Sequence, residues 1–227
     1  MIINPAARTV LCYGDSNTHG QRPDDVEPGR LPADRRWTGR LQALLGGAYD
    51  VIEEGLGGRT TDLDYPVRDN RPGRNGRTFL TPCLHSHEPL DFVVLMLGTN
   101  DTKEQFARPA EDTAAAVDAL LDDIGRQGRS PSGGPPRTIV VSPVHVDDTR
   151  PRFAELNGAS YGSGAAPRSR GLAAAIGRVA RRRGALFLDA AAVAEAGDDG
   201  VHLSLDSHRR LAELLAETIR TAVAEER

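Results

Sequence analysis

Three runs of this 227-residue chain are apolar without alternation: Phe92-Val-Val-Leu-Met-Leu97, Thr138-Ile-Val-Val141 and Leu186-Phe-Leu188. A strand with one face in water alternates apolar and polar residues, so an unbroken apolar run belongs to a strand covered on both faces. Such coverage is typical of a parallel sheet with its crossover helices above and below. The rest of the chain keeps the matching rhythm. Short strands are expected near Thr9–Tyr13, Tyr49–Glu53, Asp91–Leu97, Arg137–Ser142 and Ala185–Leu188. Amphipathic helices are expected at Trp37–Leu45, Gly76–His87, Asp112–Ile124, Pro167–Arg183 and Asp206–Ala224. In the last of these, Leu211, Leu214, Leu215, Thr218, Ile219 and Ala222 recur at helical spacing on one face. Right-handed crossovers turn this order into an α/β fold: a three-layer α/β/α sandwich around a five-stranded parallel sheet, one domain over residues 1–227.

Four segments stand outside that rhythm. Gln21–Arg36, Arg59–Asn75 and Val144–Ala166 are rich in Pro, Gly, Asp and Arg and are expected as long surface loops, which in a compact domain tend to wall a site or an interface. Gln127–Pro136 reads as a plain linker.

Composition removes several function classes. With 39% hydrophobic and 26% charged residues the chain can bury one ordinary core. A net charge of −4 leaves no basic surplus for nucleic acid or an anionic membrane. Arg181-Arg182-Arg183, the one dense basic cluster, ends a helical pattern just before Gly184, where it complements the helix C-terminus. No apolar run approaches the ~18 residues of a membrane span, and Met1–Arg8 lacks the pattern of a secretory signal. Cys12 and Cys83 are far apart and read as small core residues rather than a disulfide framework. A cytoplasmic, reducing setting is the expectation.

Strand ends on one edge of a parallel sheet converge, so the polar residues just past each strand are the candidate site. The first strand runs into Gly14-Asp-Ser-Asn17, which also reads as a helix cap or a phosphate-holding turn. The second runs into Glu54-Gly-Leu-Gly-Gly58, whose glycines can expose backbone N–H groups or simply serve positive φ. The third runs into Gly98-Thr-Asn-Asp101, an amide donor or a turn. After the fifth come Asp199 and His202. Three apart on a loop, they can pair carboxylate with Nδ1–H and leave Nε2 free, which is the base-and-orienter half of a serine triad.

Taken together, Gly14-Asp-Ser-Asn17, Gly58, Gly98-Thr-Asn-Asp101 and Asp199-Gly-Val-His202 resemble, in order and separation, the four sequence blocks of the SGNH (GDSL-type) hydrolases. Arg36-Trp-Thr-Gly39, Val51-Ile-Glu-Glu-Gly-Leu56 with Arg59-Thr-Thr61, and Met96-Leu-Gly-Thr-Asn-Asp-Thr-Lys103 bring it nearest the arylesterase/acyltransferase branch. The resemblance implies a flavodoxin-like sandwich, a serine mechanism without metal or cofactor, and a shallow site for short acyl esters. Small-molecule esters are the implied substrates, with water or an alcohol as acceptor, and a homo-oligomer is implied. By carry-over, Ser16 is the nucleophile, His202 the general base and then acid, and Asp199 its orienting partner. Ser16 N–H, Gly58 N–H and the Asn100 amide form the oxyanion hole, with Gly57 the weaker candidate for the second block.

The chain departs from the family at Asn17 and His19, where Leu and an aromatic residue are usual. Both are expected to face substrate and make the mouth of the site polar. Two other activities stay open: a carbohydrate O-deacetylase, and a non-catalytic nucleotide or phosphate binder, which would have no use for Asp199 beside His202. Two motifs are set aside. Gly158-Ala-Ser-Tyr-Gly162 matches G-x-S-x-G but no buried strand precedes it, and His85-Ser-His87 has no third metal ligand at a sensible spacing.

Overall fold

Five parallel strands form one sheet in the order β2-β1-β3-β4-β5 in a computed structural model that describes residues 4–25 and 29–225. They are β1 (Arg8–Gly14), β2 (Tyr49–Gly55), β3 (Phe92–Met96), β4 (Arg137–Ser142) and β5 (Leu186–Asp189). Each lies where the apolar runs put it, with ends shifted by at most two residues. Residues 26–28, part of the loop expected over Gln21–Arg36, lie outside the described residues, as do 1–3 at the N-terminal segment.

The helices are α1 (Ser16–His19), α2 (Trp37–Leu45), α3 (Gly76–His87), α4 (Ala110–Gln127), α5 (Phe153–Leu156), α6 (Gly158–Tyr161), α7 (Ala165–Arg170), α8 (Leu172–Arg182) and α9 (Leu205–Ala224). Strand side chains alternate between faces, and both faces are covered. Leu11, Tyr13, Val93, Leu95 and Val140 pack against α3, α4 and α8. Val10, Cys12, Phe92, Val94, Met96, Ile139 and Val141 pack against α2 and α9. This double burial is why their central positions, Val10–Cys12, Phe92–Met96 and Ile139–Val141, are all apolar.

Three expectations are corrected. The helix expected over Pro167–Arg183 is two helices, α7 and α8, interrupted at Gly171, whose missing side chain lets the chain pass the start of α4: a Cβ there would sit 2.9 Å from Ala110 Cβ. Val144–Ala166 is no plain surface loop, for Val146, Phe153, Tyr161 and Ala165 bury together with Val201 in a satellite core. Arg59, Thr60 and Thr61, placed at the start of another surface loop, are fully buried.

The chain leaves β1 toward β2 and returns to β3 on β1's other side, so the carboxyl ends of β1 and β3 flank the switch in strand order where open α/β sheets hold their ligands.

Candidate active site

β1 ends in a turn too tight for a side chain. A Cβ on Gly14 would lie 2.0 Å from Thr18 Oγ1 and 2.8 Å from Met96 O. Asp15 then caps α1, its Oδ1 accepting from Asn17 N–H at 2.9 Å, and Ser16 opens the helix at the carboxyl edge of the sheet. Ser16 Oγ lies 2.9 Å from His202 Nε2. On the other side of the ring, His202 Nδ1 and Asp199 Oδ2 share a short hydrogen bond. Asp199 cannot turn away, because its Oδ1 accepts from Val201 N–H at 2.9 Å and His202 N–H at 2.8 Å. Asn157 Nδ2 fixes the same loop from outside, donating to Asp199 O at 2.9 Å. All three members of the line are buried.

Donors gather beside the serine. Among the described residues, the backbone N–H groups of Ser16 and Gly58 donate to no protein acceptor. Gly58 holds φ at +82°, a region disfavoured for side-chain-bearing residues, and Tyr65 Oη secures it by donating to Gly58 O at 2.8 Å. Asn100 Nδ2 donates to Arg59 O at 3.0 Å, with a longer 3.4 Å contact to Asp15 Oδ2. Tyr161 Oη donates to Asn100 Oδ1 at 3.3 Å, which orients the amide and polarises its N–H groups. Gly57 is only partly buried and its carbonyl accepts from Arg74 Nε at 3.3 Å.

The sequence reading missed this second layer. Arg59 stacks 4.1 Å over the Tyr13 ring and donates to Gly14 O at 2.9 Å, tying the end of β1 to the turn after β2. Asp101 accepts from Thr61 N–H at 3.1 Å and so ties that turn to the end of β3. The buried Lys103 ammonium lies over the rings of both Tyr65 and Tyr161, and its Nζ donates to Tyr65 Oη at 3.1 Å. Burial, with Arg71 nearby, lowers it to about 8. Arg59 had a signal in its motif. Tyr65 and Tyr161 had none, since each sits in a segment without periodicity.

Asn17 does not face the mouth of the site. Its side chain is turned inward, with the residue 2% exposed. Nδ2 donates to Val201 O at 3.3 Å and Oδ1 accepts from Leu203 N–H at 2.8 Å, so the residue clamps the loop that carries His202. Asn17→Leu would orphan both backbone groups, at about 1–3 kcal/mol each. A melting temperature lowered by several degrees, together with a fall in kcat, is the expected result; an unchanged melting curve would contradict the clamp. His19 is half-buried, and burial with Arg30 and Arg36 nearby keeps its imidazole below the ordinary histidine value.

Asp15 sits next to Ser16 and, among the described residues, has no cationic hydrogen-bond partner. Burial pushes its carboxyl up to about 6, against the opposing effects of Asn17 N–H and His202. The folded chain therefore holds this proton more firmly than the unfolded chain. Its contribution makes the fold less stable as pH rises from the ordinary carboxylate range to about 6, and the full cost persists above. Asp15→Asn keeps the cap and removes the charge, so it should melt higher than wild type at pH 8 and converge with it near pH 4. A gap independent of pH would contradict this.

Of the two motifs set aside, Ser160 lies exposed on α6, behind no strand. His85 and His87 do not converge on one ion: His85 is exposed, while His87 Nε2 meets Glu54 Oε1 at 2.9 Å. Arg182 and Arg183 pair with Asp118 on α4, Arg182 Nη2 lying 3.0 Å from Asp118 Oδ1 and Arg183 Nη2 2.7 Å from Asp118 Oδ2. No described helix is long and apolar enough to cross a membrane.

A buried serine, histidine and aspartate thus lie in line at the edge of a parallel sheet, with free N–H groups beside the serine among the described residues. Residues 12–210 match the GDSL-like lipase/acylhydrolase family, and the chain belongs to it. Similar solved structures include the native aryl esterase of M. smegmatis, 36% identical, TM-score 0.83, over 95% of this chain and 99% of that one. A carbohydrate acetylesterase from Sinorhizobium meliloti is 35% identical, TM-score 0.84, over 95% and 99%. A carbohydrate acetylesterase family member from the same organism is 33% identical, TM-score 0.83, over 94% and 98%. No curated protein matches the chain by sequence.

Proposed function

We propose that this chain is a serine esterase that hydrolyses short-chain acyl esters through an acyl-enzyme on Ser16. The observation that carries the reading is the hydrogen-bonded line from Ser16 Oγ through His202 to Asp199. Ser16 Oγ attacks the ester carbonyl as its proton passes to His202 Nε2, and Asp199 holds the ring in register and stabilises the imidazolium. The carbonyl oxygen gains negative charge in the space faced by Ser16 N–H, Gly58 N–H and the second Asn100 Nδ2 hydrogen, which gives up its long contact with Asp15. The two backbone N–H groups, already in place, stabilise that charge without reorganising. His202 then protonates the leaving alcohol. Water, or a second alcohol, takes the acyl group by the same steps in reverse order.

A second reading, a carbohydrate O-deacetylase, is favoured by the likeness to the S. meliloti carbohydrate acetylesterase at an identity close to that of the aryl esterase. One experiment separates them: acetate release from p-nitrophenyl acetate and from acetylated xylan, measured for wild type and Ser16→Ala after chelation. The esterase reading expects Ser16-dependent release that survives chelation. A clear preference for the polysaccharide would favour deacetylation, and release retained in Ser16→Ala would sink both.

Two coarser points belong to the same reading. Unpaired Cys12 and Cys83 accord with a reducing, cytoplasmic setting. A homo-oligomer, with Gln21–Arg36 and Val144–Ala166 walling the site, is part of the same proposal, and a strictly monomeric mass by light scattering would count against it.

A further inference from the structure

The end of β2 and the last turns of α3 gather three side chains of different chemistry, on the edge of the sheet away from His202. Cys83 and His87 are four apart on α3 and so share one of its faces. Glu54 is the penultimate residue of β2. Cys83 Sγ, a ring nitrogen of His87 and a carboxylate oxygen of Glu54 all lie within 4.8 Å of one another. Cys83 is 2% exposed, whereas the side chains of His87 and Glu54 are 28% and 25% exposed, so the trio has a closed inner side and an open outer one. The Cys83 thiol makes no hydrogen bond among the described residues.

We propose that Glu54, Cys83 and His87 form a Zn²⁺ site, with water in the fourth position. One thiolate, one imidazole and one carboxylate make a donor set for a borderline-soft ion, whereas Mg²⁺ and Ca²⁺ take oxygen alone. Bonds of about 2.0–2.3 Å in a tetrahedron put the ligand atoms roughly 3.3–3.8 Å apart. Closing the trio therefore takes an inward shift of roughly 1 Å on the sulfur side, and a small opening of the 2.9 Å contact between His87 Nε2 and Glu54 Oε1. Two of the ligands stand on one helix and the third on a paired strand, so their relative placement is held by the fold. The charge balances: the cation displaces the thiol proton to solvent, the imidazole's one proton, on Nε2 while that nitrogen donates to Glu54 Oε1, moves through water to Nδ1, and thiolate plus carboxylate neutralise the ion. The open side admits both ion and water.

The site stands apart from the esterase reading, because none of its ligands belongs to the Ser16 line. Its role is a clamp between β2 and α3, so bound ion should raise the melting temperature by mass action on the folded state.

The test uses the full chain, reduced and stripped with chelator, titrated with Co²⁺ as the spectroscopic stand-in. The expected result is a near-ultraviolet thiolate-to-cobalt band with the visible bands of four-coordination, complete at one equivalent and bleached by one equivalent of Zn²⁺. Ser16→Ala should bind identically. Cys83→Ser, shown folded by circular dichroism, should lose the thiolate band. His87→Gln and Glu54→Gln should each weaken binding by at least the roughly 10–100-fold that loss of an outer partner costs. Absence of the thiolate band in wild type would overturn the site. So would its persistence in Cys83→Ser, or its loss in Ser16→Ala.

Discussion

Ser16→Ala should lower kcat on a p-nitrophenyl ester by about 10⁴-fold or more, and His202→Ala should do the same. The two should differ in their unfolding. Among the described residues the Ser16 hydroxyl hydrogen-bonds only with His202 Nε2, so its removal leaves one ring nitrogen short of a partner and the melting curve should hardly move. Loss of the His202 ring leaves Asp199 Oδ2 buried without its donor, and about 1–3 kcal/mol of stability should go with it. Residual turnover above the uncatalysed rate would come from the oxyanion donors, which neither change touches. Initial rates and thermal melts on the same preparations decide the matter. Ser16→Ala retaining activity within tenfold of wild type would remove Ser16 as nucleophile.

Asn100→Ala should cost less, about 10²–10³ in kcat, equal to about 2.7–4 kcal/mol, with KM little changed. In the proposed oxyanion hole the amide is one donor of three, and its charge partner exists only while the tetrahedral species does. Asn100 also receives Tyr161 Oη and donates to Arg59 O, so its removal could act through the fold instead. Tyr161→Phe separates the two. It keeps the ring and the satellite core but releases the amide oxygen, so kcat should fall several-fold while the melting temperature stays near wild type. A rise in KM at constant kcat for Asn100→Ala would show a ground-state role and dismiss the oxyanion assignment.

The sheet was legible because a doubly covered strand leaves an unmistakable mark, as Phe92–Met96 does, buried at every position. The residues of the Ser16 line were legible because strand ends converge, so four short polar blocks could be collected without knowing any loop's path. Side-chain direction was not legible. Asn17 stands next to Ser16 in sequence, yet its amide points back to Val201 and Leu203, a partnership across 184 and 186 positions that no local pattern encodes. The break at Gly171 escaped for a similar reason, since the need for a bare backbone there comes from Ala110 on another helix. Glu54, Cys83 and His87 were invisible as a set. Each has an ordinary separate reading, and only the packing of α3 on the sheet brings them within reach of one ion.

The contact between Ser16 and His202 joins residues 186 positions apart, one at the end of the first strand and the other just before the last helix. Ser16 precedes four of the five strands in chain order, and His202 follows all of them. Even then His202 needs α9, whose Leu211, Leu215 and Ile219 fill the face beside α2. On the proposed mechanism, a chain clipped before α9 is thus chemically silent however well its early strands have paired. On the proposed mechanism, ester cleavage reports only molecules in which α9 has docked, and Ser16 stays inert in every chain whose last strand and helix are still unpacked.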